Sequence, residues 1–241
     1  MFKVSIGTFL QKGKLVIAFL QKFHPDNFNN MKKENFSRRK FISVAGISTV
    51  AASNLILPGL GNAHSSETVI EDNINHIGPR KGFTPQIGTL ISMLDWLSDS
   101  VIRATKKLTV EQLDYLHDDD SNSIGSLMMH VAATEVVYQD MTFFNLEGFS
   151  KNNKDKWNVA MELGKDAQTI IKGNKIDYYV EAMNEARATT KLEMKKRDDK
   201  WLLSGQTKDW DWNNYCKWFH VAEHFANHRG QITWYRKRLS K

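Results

Sequence analysis

The chain has one cysteine, Cys216, so no intrachain disulfide can form. Its fold must be held by its core, or by its core and a metal. Prolines are scarce as well, four in 241 residues. Helical proteins tolerate that better than proteins built from many strands and turns. No alternating apolar–polar run of strand length occurs, and there is no internal repeat. Net basic charge is missing from most of the chain. The net charge of +6 arises in residues 1–63, where nine Lys/Arg face two Asp/Glu. Residues 64–241 carry 24 Lys/Arg against 25 Asp/Glu and have no global electrostatic reason to seek phosphate backbones. No nucleic-acid partner is expected. The small cluster Arg236, Lys237 and Arg238 ends the last apolar pattern, where it suits a helix C-terminus. An apolar share of 41% with 25% charged residues excludes a disordered chain.

The basic N-terminal part has the order of an export signal. Ser37-Arg38-Arg39-Lys40-Phe41-Ile42 opens an apolar stretch from Phe41 to Leu60. Pro58, Gly59 and Gly61 interrupt it, and Ala63 closes a Gly-Asn-Ala triplet. A charged region, an apolar region and a small-residue cleavage site follow one another. The paired arginines before an aromatic and an aliphatic residue resemble the twin-arginine signature. The stretch is rich in Ala, Ser, Gly and Thr, which suits a weak signal better than a stable membrane span. The expected partner during export is the twin-arginine translocase, and the expected location is the periplasm or cell envelope. An uncleaved N-terminal anchor is the other reading of the same segment. Met31 looks like a natural start for this leader, so residues 1–30 are read as an upstream extension without a folded role. The expected organisation is therefore 1–30 extension, 31–63 signal, 64–83 polar tether and 84–241 one folded domain.

That domain reads as helices. Thr84-Pro85 is an N-cap with proline in the first turn, and Ile87, Leu90, Ile91, Leu94, Leu97, Val101 and Ile102 keep helical spacing to about Lys107. Thr109 and Gln112 form a capping-box pair for a short piece ending near Leu116. Asp118-Asp119-Asp120 lacks the alternation and distal Glu of a calcium loop and is expected to be solvated. A second long helix is expected from Ser123 to about Phe144, and a polar linker over 145–156. A shorter helix follows over 157–172. A third long one, capped by Asp177, runs to about Leu203, and a last one runs from Asp211 or Asn213 to about Leu239. The pattern predicts an all-α four-helix bundle with short additional helices. Trp96, Tyr138, Trp212, Trp218 and Trp234 are expected mainly in its core.

The chemistry is concentrated in histidines. His220, His224 and His228 are four apart on the last helix, so each lies about 40° round and ~6 Å along from its neighbour. The outer two, ~12 Å apart along the axis, are too distant to share one ion easily. An adjacent pair can share one, because Zn–N bonds of about 2.0–2.1 Å let the side chains converge. A third ligand must come from elsewhere, and His130, in the middle of another long helix, is the candidate. Three imidazoles leave one coordination position open, the arrangement of a catalytic site.

Glu223-His224-Phe225-Ala226-Asn227-His228-Arg229-Gly230-Gln231-Ile232 resembles the His-x-x-x-His-Arg-Gly-Gln ending of DinB-like proteins. Ser123 to Ala132 around His130, with Glu135 five residues beyond it, is similar to the family's earlier histidine segment. Arg197-Asp198-Asp199-Lys200-Trp201-Leu202 resembles a motif of the branch related to thiol S-transferases. The resemblance covers about residues 84–240. It implies a bundle of up-down-down-up type and a divalent metal, zinc or nickel, held by His130, His224 and His228. Some such proteins are thiol S-transferases using bacillithiol, mycothiol or glutathione. Three functions remain open on the residues: a metal-dependent hydrolase or thiol transferase acting on an unknown small molecule, a metal-binding protein without turnover, and a bundle that the metal only staples. In the first, Glu135 or His220 would accept a proton. His220 is otherwise read as packing beside the ligands, Gln231 as helix packing, and Cys216 as a small buried residue. A homodimer is compatible with the sequence.

Overall fold

Among the described residues eight helices form, five of them opened by a side-chain cap. The computed structural model describes residues 73–208 and 210–239. The expected extension, the signal and the first part of the tether lie outside the described residues. The helices are α1 (Pro85–Thr105), α2 (Val110–Leu113), α3 (Ile124–Phe143), α4 (Lys151–Glu162), α5 (Gly164–Ile170), α6 (Ile176–Met194), α7 (Asp199–Leu202) and α8 (Asn214–Arg236). No strand occurs among the described residues.

Four starts were legible, one from proline at the first helical position and three from side-chain caps. Pro85 opens α1 after Thr84. Thr109 and Gln112 form a reciprocal capping box at α2. Ser123 accepts from the Ser126 amide at α3, and Asn213 from the Cys216 amide at α8. Other boundaries depart from the sequence reading. The 145–156 linker is shorter than expected, because Ser150 caps α4 at Lys151. The single helix expected over 157–172 is two, broken where Leu163 takes a left-handed backbone (φ 58°). The third long helix does not reach Leu203. It starts after Lys175 rather than at Asp177 and ends at Met194, and Asp198 then caps the separate turn α7.

The long helices α1, α3, α6 and α8 make the bundle. Gly125 lies against the ring of Tyr179, Glu135 meets Arg187, and Gln139 donates to Thr190, so α3 and α6 run parallel. Trp218 meets Thr142, and His224 and His228 meet His130, so α8 runs against α3. Lys195 lies over Phe83 while Arg187 reaches Asp95, so α1 runs against α6. The order is up-down-down-up. A β-carbon at position 125 would stand 2.6 Å from the Tyr179 ring, so glycine sets how closely α3 and α6 approach.

Helix α3 is buried on nearly every side, with Met141 its one partly exposed residue. A helix so enclosed must satisfy its polar groups internally. Glu135 accepts from Arg187 Nε and Nη2, both at 2.8 Å, and from Thr190 Oγ1 at 2.6 Å. Gln139 donates to the Ala186 carbonyl and Thr190. Asp140 accepts from the Ser150 amide and the Asn153 side chain.

The last part of the expected tether is packed rather than free. The Gly78 amide donates to Ser92 on α1, Phe83 lies against the core, and Gly88 has the Arg80 backbone where a β-carbon would stand. Among the described residues no helix is long and apolar enough to cross a membrane.

Candidate metal centre

Helices α3 and α8, antiparallel and in contact, turn two columns of residues toward each other. On α3 the column is His130, Thr134 and Tyr138, and on α8 it is His228, His224 and His220. Each column steps by four residues, so each rung of one meets a rung of the other. His130 and His228 are buried and His224 is half-buried.

His130, His224 and His228 come together, each offering a ring nitrogen, with those atoms within 4.8 Å of one another. The rings are 4.4–4.9 Å apart, centroid to centroid. His130 Nδ1 lies 2.9 Å from the Ala160 carbonyl on α4. A carbonyl only accepts, so Nδ1 carries the proton and Nε2 keeps its lone pair. His228 Nδ1 likewise donates to Gln231 Oε1 at 2.8 Å, one turn further along α8. Such outer hydrogen bonds fix the tautomer and orientation of imidazole ligands. His224 Nε2 faces His130 Nε2 at 2.9 Å and the Thr134 hydroxyl at 3.3 Å. Two bare lone pairs at that distance repel, so the facing nitrogens need a proton or a cation between them. Among the described residues no fourth His, Cys, Asp or Glu joins the cluster.

The electrostatics favour neutral imidazoles. Burial, then the neighbouring His228, lowers His130 to about 4. Burial, with His228, His130 and His220 beside it, lowers His224 to about 2. Burial also lowers His228. All three are uncharged near neutrality, the form that binds a metal. The donor set therefore fits a divalent ion: converging neutral nitrogens, two of them oriented from behind, with no carboxylate or thiolate among them.

The scan against known families matches the chain over residues 89–240 to the mycothiol S-transferase model. The chain belongs to the mycothiol S-transferase family. No curated protein matches it. This family is DinB-like, in agreement with the histidine segments in the sequence, and the match spans all four long helices of the bundle apart from the first turn of α1.

Within this mycothiol S-transferase family bundle, the remaining residues singled out in the sequence take different places. Glu135 is fully buried, but its carboxylate is taken up by Arg187 and Thr190 between α3 and α6, whereas the histidines meet between α3 and α8. Arg187 continues to Asp95 on α1 at 3.3 Å, and Lys191 joins Asp95 at 2.8 Å. His220 lies one ring from the cluster, 5.7 Å from His224. Its Nδ1 is 3.3 Å from Glu223, and burial lowers its pKa. Gln231 orients His228 instead of packing the helix, a role its three-residue spacing on one helix face could have suggested. Cys216 is only partly buried. Tyr138 and Trp218 are core, Trp96 and Trp212 are half-buried, and Trp234 is exposed beside His117. Asp118 to Asp120 are exposed, as expected of a solvated loop.

The Arg197–Leu202 segment is a corner that joins three helices. Arg197 lies over Phe143 and Trp201 and donates to the Phe143 carbonyl. Asp199 accepts from the Thr84 hydroxyl and from the amides of Gln86 and Ile87, capping α1 from outside.

Proposed function

We propose that this protein is a metal-dependent thiol S-transferase, with zinc or nickel held by His130, His224 and His228. The observation that carries the reading is the convergence of three neutral imidazoles without a fourth ligand among the described residues, in a member of a thiol S-transferase family. A divalent ion there would supply the charge that lowers the pKa of a nearby thiol. The chain's own residues hold and orient that centre through the Ala160 carbonyl and Gln231. His220, neutral and adjacent to His224, is the proposed proton acceptor, since Glu135 is engaged by Arg187. The thiol proton passes to His220, the sulfur–carbon bond forms, and the leaving group departs from the electrophile with its bonding pair.

The test uses monochlorobimane as electrophile with mycothiol, glutathione or N-acetylcysteine. The zinc- or nickel-loaded protein should accelerate thiol consumption, and His130→Ala should not. Stoichiometric metal binding without acceleration for any of these thiols would leave a metal-binding bundle without turnover. Metal at ~100 times Kd should also raise stability by about 2.7 kcal/mol, a shift that chelation removes from the wild type but not from His130→Ala.

We also propose that the protein is exported to the periplasm or cell envelope, on the strength of Arg38, Arg39 and the weak apolar segment behind them. Replacing both arginines by lysine should hold it inside the cell. Unchanged periplasmic yield in that variant would overturn the twin-arginine route.

A further inference from the structure

Beside the histidine cluster four aromatic residues close a ring. Tyr138 lies 5.9 Å from His220, His220 lies 5.7 Å from Trp212, Trp212 lies 5.6 Å from Trp210, and Trp210 lies 6.3 Å from Tyr138, centroid to centroid. All four contacts are edge-on or tilted, so the residues make walls rather than a stack. Tyr138 is 3% exposed, yet among the described residues its hydroxyl has no hydrogen-bond partner. Burying such a group unpaired costs free energy that phenylalanine, filling the same space, would not incur. Packing alone does not account for the oxygen.

We infer that Tyr138 and the ring formed with Trp210, Trp212 and His220 bind the electrophilic substrate, a planar conjugated molecule carrying a carbonyl or nitro oxygen that accepts a hydrogen bond from the Tyr138 hydroxyl. This inference rests on the transferase reading for its place beside the histidines. Three features favour that chemistry. The walls are flat π surfaces, suited to a planar partner. Burial raises the Tyr138 pKa, so its oxygen stays a donor throughout the working pH range. Lys217, whose ammonium donates to the Gly205 carbonyl, already lies 4.6 Å from the centre of Trp210, so a cationic ligand would meet a cation. The ligand enters by displacing one wall. The tryptophan side is the one assigned to entry, since Trp210 and Trp212 both precede α8 whereas Tyr138 and His220 are fixed on α3 and α8.

Acetophenone and α-methylstyrene have nearly the same shape, and only the first has an oxygen acceptor. Their dissociation constants for the zinc-loaded full-length protein and for Tyr138→Phe can be measured by ligand-observed NMR titration. Acetophenone should bind Tyr138→Phe about three- to tenfold more weakly than the wild type, the range of one net hydrogen bond, and α-methylstyrene about equally to both. The acetophenone carbonyl carbon should shift downfield on binding the wild type, a signature that needs no variant. An equal loss for both probes, an undiminished affinity for acetophenone, or an unshifted carbonyl would overturn the inference. Failure of the transferase reading is seen separately, as absent metal-dependent thiol consumption with the probe ratio intact.

Discussion

His228 shows how much of a candidate metal site lies behind the nitrogens that would hold the ion. Its Nδ1 proton is committed to Gln231, which leaves Nε2 for an ion and holds the ring from turning. Gln231→Ala removes that partner while leaving the three proposed ligands in place. Metal affinity should fall about 10- to 100-fold, the usual cost of losing such an outer hydrogen bond. His220→Ala is the comparison. His220 stands beside His224 but outside the set of converging nitrogens, so that variant should bind metal as the wild type does and lose turnover. Titration of zinc against a competing chelator separates the two. Unchanged affinity in Gln231→Ala would show that His228 is oriented by packing alone. Stoichiometric metal loss in His220→Ala would move the helix pair to His220 and His224.

At the scale of elements, the corner at α7 determines how α1 begins. Thr84 makes no cap to its own helix, and Asp199 supplies the acceptor from elsewhere in the chain, at 3.1 Å from the amides of both Gln86 and Ile87. Asp199→Ala should cost about 1–2 kcal/mol, the range for a lost N-cap, whereas Asp199→Asn should keep most of it. For a domain of this size that is about 2–8 °C in the melting midpoint. A midpoint unchanged by the alanine variant would refute the cap. The start at Thr84-Pro85 was legible because N-caps use few residue types, but its true acceptor, more than a hundred residues away, was not. Helix ends were harder to read. Met194 ends α6 without a glycine or proline, and Leu163 breaks a helix from a left-handed backbone that leucine rarely adopts. The histidine ladder was legible because its spacing lies within one helix. The third position, His130, was suggested by its place on a long helix and by the family resemblance. The partner of Glu135 was hidden, since nothing local to α3 announces that Arg187 will face it from a parallel helix.

At the scale of the whole molecule, the buried histidines tie stability to pH in the metal-free protein. In the unfolded chain a histidine titrates near 6.5, whereas folding lowers His130 to about 4 and His224 to about 2. Between those values the unfolded state binds protons that the folded state refuses. Stability is therefore fully present above pH 6.5 and is lost as pH falls toward the folded values. By pH 5 the loss should reach about 2 kcal/mol for each such histidine. Ordinary carboxylates have scarcely begun to protonate there, so the window from pH 7 to 5 isolates the imidazoles. Denaturant titrations of chelator-treated protein at half-unit steps would measure the slope. His130→Ala removes one of the titrating groups from both states, so its loss over the same window should be smaller than the wild type's by about 2 kcal/mol. Equal slopes in the two proteins would mean that His130 titrates alike folded and unfolded, and that it is not held neutral against the cluster.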